Sequence, residues 1–287
     1  MRQGILTEPT QMTTYREREA PRFLHRLDAT NDVEQYFSVK TLHIRLLGEF
    51  VLLANEMPIT SLDVPRLQSL LAYLALQRGV PQARSRIAYA LWPDSTGAQA
   101  HTNLRNALFK LRLALPEVES FLFIERQALC FLPDALWSLD VMEFEGALAR
   151  AEQARCAQHQ GGERQALEAA VQCYQGDLLP GCYDEWILAE RDRLQQAYIA
   201  GMERLIELLE AEGSYQAAIR VAQRLLRQDP LHESSYRCLM RLYAARGDRA
   251  AVSRTYQTCV TVLKRELAIE PGLTTRTTYE QLMQAED

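Results

Sequence analysis

A chain of 287 residues has room for about two domains of ordinary size. Hydrophobic residues make up 47% of it and charged residues 24%, proportions that exclude extensive disorder, and a net charge of -5 excludes a uniformly basic nucleic-acid coat. The charge is unevenly spread, however: between Arg78 and Arg112 six cations (Arg78, Arg84, Arg86, Arg105, Lys110, Arg112) stand against the single anion Asp94, so an acidic chain can still present a basic face.

Residues 1–40 carry six cations and six anions with little periodicity, and are expected to form a loosely attached arm with a short helix near Pro21 to Leu27. Thr41 to Leu53 (TLHIRLLGEFVLL) alternates Leu42, Ile44 and Leu46 with His43 and Arg45, which predicts a strand. Gly48 marks a turn or bulge, Phe50 to Leu53 a second strand, and Asn55, Glu56 and Pro58 another turn, so a small antiparallel sheet is expected. In Arg66 to Arg78, Leu67, Leu70, Leu71 and Leu74 hold helical register, with Gly79 as the stop. Ser85 is placed to cap a short second helix through Leu91, ended by Trp92 and Pro93.

Thr96 to Leu115 (TGAQAHTNLRNALFKLRLAL) is the stretch around which the front half is organised. Leu104, Leu108, Leu111 and Leu115 recur at spacings of four, three and four, which aligns them on one stripe of a helix. Arg105 and Arg112 flank that stripe, and Thr102, Asn106 and Lys110 lie roughly opposite. Docked by its leucines, the helix would hold out amides, hydroxyls and cations, the groups that read base edges and phosphates. Pro116 then breaks the register, and Phe121 to Leu132 (FLFIERQALCFL) predicts two strands joined near Glu125 to Ala128. Short strands, three helices of which the third is basic, and a closing hairpin are the order of a winged helix-turn-helix.

The blocks LLGEF, LLAYLAL, SRIAYALWPD and NLRNALFKLRLAL, with the hairpin after them, resemble the OmpR/PhoB-type winged helix at the front of the Streptomyces antibiotic regulatory protein family. The second half resembles that family's bacterial transcriptional activator domain through YQGDLLPGCYDEWILAERDRL, DPLHESSYRCLMRLYAARGDRAAV and LKRELAIEPG. The resemblance implies that the helix at about 97–115 enters the major groove, that the wing at 121–132 touches the adjacent minor groove or backbone, and that the product regulates transcription, as an activator rather than a repressor. By position it assigns the DNA-facing surface to Thr102, Asn103, Arg105, Asn106, Lys110 and Arg112. Arg84 and Arg86 at the start of the second helix and Arg126 in the wing join that assignment. Phe109 and Leu113 depart from it, standing where polar residues would be comfortable.

The second half can also be read from its own pattern. Helices are expected over about Val141 to Ala157, Glu163 to Tyr174 and Asp184 to Glu212, followed by a 34-residue repeat. Ile206 recurs as Met240, Leu209 as Tyr243, Gly213 as Gly247, Ala218 as Val252, Ala222 as Tyr256 and Leu225 as Cys259. That is the period of the tetratricopeptide repeat, in which helix pairs turn at a glycine and neighbouring repeats complete one another's core. Pro230 follows the first copy, whereas Lys264 stands at its place in the second. Leu178, Tyr183 and Trp186 are expected in the packing, and Glu190 with Arg191 in ion pairs.

Five scattered histidines and the lack of HExxH, GxSxG or GxxxxGK[ST] argue against an enzyme, a metal site or any cofactor. His232, beside Glu233 at a helix start, suits capping or a surface role better than catalysis. Six cysteines without a CxxC pair suit free core thiols in a reducing cytoplasm, and no apolar run is long enough to span a bilayer.

The expectation is a mostly α protein: a flexible arm over 1–40, a winged helix-turn-helix (α+β) over 41–134, and an all-α tetratricopeptide-like domain over 139–287. The expected partners are double-stranded DNA, RNA polymerase and a second copy of the chain on DNA. The alternative is a helical-repeat adaptor or small-ligand sensor.

Overall fold

The computed structural model describes residues 41–284 apart from Pro116 and Asp134, so the arm expected over 1–40 lies outside the described residues. Alternation in Leu42–Arg45 (β1) buries Leu42 and Ile44, and β1 pairs antiparallel with Val51–Ala54 (β2), Ile44 lying opposite Leu52. Asn55 and Glu56, both at positive φ, then turn the chain tightly into Met57–Pro58 (β3).

Pro65–Leu76 (α1) starts with proline at its first turn, where no N–H is needed, and buries Leu67, Leu70, Leu71 and Leu74. Gly79, at φ +71°, donates its N–H to the Phe131 carbonyl at 2.9 Å. The chain continues through Gln82–Ala83 (β4), Arg84–Leu91 (α2) and Gly97–Ala114 (α3). A single 3-10 turn at Val118–Ser120 follows, then the hairpin Leu122–Ile124 (β5) and Ala128–Phe131 (β6). The sheet order β4-β6-β5 makes β4 the third strand of the wing, an element too short to be legible as a pattern. It also overturns one expectation. Ser85 does not cap α2, because the helix begins two residues earlier than such a cap would start it: Ala83 leaves β4 directly into the helix and Ser85 lies in its first turn, while the Arg84 N–H is bonded to the Gln127 carbonyl at 2.9 Å.

Trp137–Leu139 (β7) returns to the first sheet and pairs parallel with β1, giving the order β3-β2-β1-β7. Seven helices follow: Asp140–Cys156 (α4), Gln160–Cys173 (α5), Glu185–Ala211 (α6), Tyr215–Gln228 (α7), Glu233–Ala245 (α8), Arg249–Leu267 (α9) and Leu273–Gln284 (α10). The fold is thus a winged helix-turn-helix followed by a tetratricopeptide-like helical array. Gly213 and Gly247, 34 residues apart, turn α6 into α7 and α8 into α9 at φ +72° and +74°. Ala218, Val252, Leu225 and Cys259 are all buried. Without a proline at 264, α9 runs on to Leu267 before Ala268 ends it in the left-handed region. Glu233 then ties down the last helix, its carboxylate accepting from Gly272 N at 3.0 Å and Thr275 Oγ1 at 2.5 Å.

One hydrophobic core runs from Leu42 to Leu242 across both halves. The Asp140 carboxylate accepts the N–H groups of Leu46 and Leu47, each at 2.8 Å. Leu179 N donates to the Leu46 carbonyl, and Gly48 N to that of Asp177. Gly176 approaches Gly48 so closely that a Cβ on it would lie 3.1 Å from the Gly48 Cα. On the other side, Arg66 of α1 pairs with Asp184 and the Tyr73 ring meets Trp186 edge-on at 5.2 Å.

Three expectations about the second half need correction. Tyr183 is 85% exposed, while Leu178 is buried and Trp186 packs as expected. Glu190 pairs with Arg193, leaving Arg191 to donate to the carbonyls of Leu178, Leu179 and Cys182 at 2.7 to 2.9 Å. It thereby holds a turn in which Leu179 sits at positive φ. All six cysteines are free, but Cys156 is exposed at the end of α4 and Cys173 is half-buried.

Candidate nucleic-acid interface

α3 is held at its start by Thr96, whose Oγ1 accepts from Gln99 N, and along its length by buried Ala100, Leu104, Ala107, Leu108 and Leu111. At 3.6 residues per turn, that buried stripe leaves Thr102, Asn106, Phe109 and Leu113 outermost. Arg105 and Arg112 form one shoulder, and Asn103 and Lys110 the other. Thr102, Arg105, Asn106, Lys110 and Arg112 are exposed and Asn103 is half-buried. Phe109 and Leu113 are exposed by 62% and 69%, the largest apolar groups on this face.

The site residues differ in how far they are already engaged. The Thr102 hydroxyl donates to the Ala98 carbonyl at 3.0 Å, and Asn103 Oδ1 accepts from Gln99 Nε2 at 2.8 Å. Arg112 meets Glu119 of the 3-10 turn at 3.1 Å, an exposed pair that contributes little to stability. Among the described residues no side-chain hydrogen bond or ion pair reaches Arg86, Arg105, Asn106 or Lys110.

Arg84 joins the three elements of this surface. It begins α2, its backbone is bonded to the wing, and its Nε donates to the Glu125 carbonyl at 2.9 Å. Burial pushes its guanidinium below the ordinary value, and the charges of Arg112 and Arg105 push it further the same way. Arg84, Arg105 and Arg112 are therefore one cluster of like charge, a repulsion that an anion would relieve. Arg126 is exposed in the hairpin turn beside it. Arg86 is exposed on α2, and Lys110 stands on the far shoulder of α3. Glu119 is the member that sequence reasoning missed, since its relation to Arg112 depends on the left-handed turn at Glu117.

Among the described residues no group of three or more His, Cys, Asp or Glu side chains could hold a metal ion, and no helix is long and apolar enough to cross a membrane.

A basic helix presented by a winged helix-turn-helix is joined here to a helical array, and comparison with known proteins gives the family of that array. Residues 139–283, just over half the chain, match the bacterial transcriptional activator domain, and the chain belongs to that family. It is 24% identical over 222 residues to the regulatory protein AfsR of Streptomyces coelicolor, an alignment covering 77% of this chain and 22% of AfsR. To the transcriptional regulatory protein MoaR1 of Mycobacterium tuberculosis it is 23% identical over 227 residues, covering 77% of this chain and 73% of MoaR1. The fold is similar to that of Mycobacterium tuberculosis EmbR, solved in complex with a low-affinity phosphopeptide. The TM-score is 0.66 at 21% identity, over 86% of this chain and 66% of EmbR. The chain is thus similar to named regulatory proteins of Streptomyces and Mycobacterium. It spans about a fifth of AfsR and about two thirds of EmbR.

Proposed function

We propose that this protein is a transcriptional regulator of the Streptomyces antibiotic regulatory protein type, which binds duplex DNA in a sequence-selective way and activates transcription. In this reading α3 enters the major groove, where Asn106 pairs with adenine and Arg105 or Lys110 with guanine. Arg84, Arg86 and Arg126 meet phosphates, as expected of the helix that crosses the backbone and of the wing. The supporting observation is the gathering of Arg84, Arg105 and Arg112 around the one helix whose outer face also offers Asn106, in a chain of net charge -5. The helical half aligns protomers on DNA or meets RNA polymerase, because one recognition helix covers only a few base pairs.

Selection of a preferred duplex from random sequence by the full chain, followed by transcription with bacterial RNA polymerase from a template carrying that duplex, tests the reading. Increased transcript supports activation, decreased transcript makes the protein a repressor, and failure to select any sequence favours the adaptor. The full chain is the right material, since β7 and Asp140 complete the first sheet from beyond residue 134.

A further inference from the structure

The outermost stripe of α3 carries a feature that general DNA affinity does not need. Phe109 stands 62% exposed in line with Thr102 and Asn106, directly opposite the buried leucines. Cations bound it on both sides, with Arg105, Arg112 and the nearby Arg84 on one shoulder and Lys110 on the other. A surface that covers it must be apolar at its centre and anionic along both edges. The major groove of duplex DNA has that form: phosphates line both edges of a groove about 12 Å wide, and its apolar group is the C5-methyl of thymine.

Resting on the DNA-binding reading above, we propose that Phe109 is a specificity-determining residue that packs its ring on a thymine methyl. Asn106 lies three residues earlier, about 4.5 Å along the helix axis at 1.5 Å per residue. The thymine therefore falls one or two base pairs from the adenine that Asn106 reads, base pairs being stacked about 3.4 Å apart. Leu113 is less well placed. It lies about 6 Å further along the axis, beside Arg112, whose charge is already shared with Glu119.

The test uses a duplex selected by the full chain, with each thymine in turn replaced by deoxyuridine, a change that removes only the methyl group. Binding should fall about fourfold at one thymine beside the adenine read by Asn106, the equivalent of one buried methyl group at about 0.8 kcal/mol. In Phe109→Ala, shown to be folded by its helical signal, that difference should vanish, and Phe109→Leu should recover part of it. Equal binding of wild type to every thymine and deoxyuridine duplex would overturn the proposal while leaving sequence-selective binding intact. So would a deoxyuridine penalty that persists unchanged in Phe109→Ala. If no sequence is selected at all, the DNA-binding reading falls and this proposal with it, and the cation-rimmed phenylalanine is then a protein contact.

Discussion

The carboxylate of Asp140 accepts the backbone N–H of Leu46 at 2.8 Å, across 94 residues of chain, so the first residue of the helical half completes the first sheet of the winged helix. The same oxygen takes the N–H of Leu47, and Oδ1 takes that of Val141. Asp140→Ala leaves the two donors of β1's end unsatisfied in a buried place, at a cost of about 2 to 3 kcal/mol. Urea unfolding of the full chain should show that loss. A change within 0.5 kcal/mol of wild type would mean that water replaces the carboxylate without penalty.

The same residue makes stability depend on pH. Burial raises its carboxyl above the ordinary value by more than the N–H bonds from Leu47, Leu46 and Val141 and the charge of Arg45 lower it. The folded state thus holds the proton more tightly than the unfolded chain, whose aspartates titrate near ~3.9. That contribution is fully present below the unfolded value and is lost as pH rises through the folded one. Between pH 4 and 7, wild type should therefore lose stability relative to Asp140→Asn. A gap that stays constant or moves the other way contradicts the direction.

Gly213 and Gly247 occupy equivalent turns at φ +72° and +74°, and nothing lies within 4 Å of a Cβ added at either. Alanine there meets backbone strain and no clash, so each substitution should cost about 1 to 2 kcal/mol. Thermal melts of the two single variants should shift by similar amounts. Strongly unequal shifts would show that the two repeats are not energetically alike.

The cysteines give a chemical check of burial. Desolvation pushes Cys238 up to about 11 and Cys259 up to about 12, whereas Cys156 is exposed on α4. Brief treatment with iodoacetamide at neutral pH, followed by peptide mass spectrometry, should label Cys156 first and leave Cys238 and Cys259 unmodified until the protein is unfolded. Early labelling of Cys259 would contradict the packing of α8 on α9.

Much of this was legible because it is local. The leucine stripe of α3 and the glycines 34 residues apart are statements about neighbours along one helix or one period, and the structure has both of them. What escaped depends on distant partners. β7 is three residues long and is a strand only because β1, some 95 residues earlier, offers it an edge. Ser85 resembles a cap, but β4, paired with β6, leads the chain into the helix at Arg84 and leaves Ser85 inside the first turn. Arg191 looks like half of an ion pair beside Glu190, yet the turn at Leu178 to Cys182 brings three carbonyls to it. At the candidate interface the residue types were legible. The cluster of Arg84 with Arg105 and Arg112 follows from how the wing folds back on α2.

Whether α3 reads DNA is tested by titration of the full chain and its variants against a selected and a scrambled duplex at several salt concentrations. Wild type should prefer the selected duplex, with affinity falling steeply as salt rises because phosphate contacts release counterions. Arg84→Ala should weaken both duplexes alike and reduce the salt slope by about one contact. Arg105→Ala and Asn106→Ala should lose preference at particular base pairs, each worth about 1 to 3 kcal/mol. Leu108→Ala, which opens a cavity under the helix, should instead lower stability by about 2 to 5 kcal/mol. Unchanged affinity and selectivity in folded Arg105→Ala and Asn106→Ala would contradict the account and make this helix a protein-binding face.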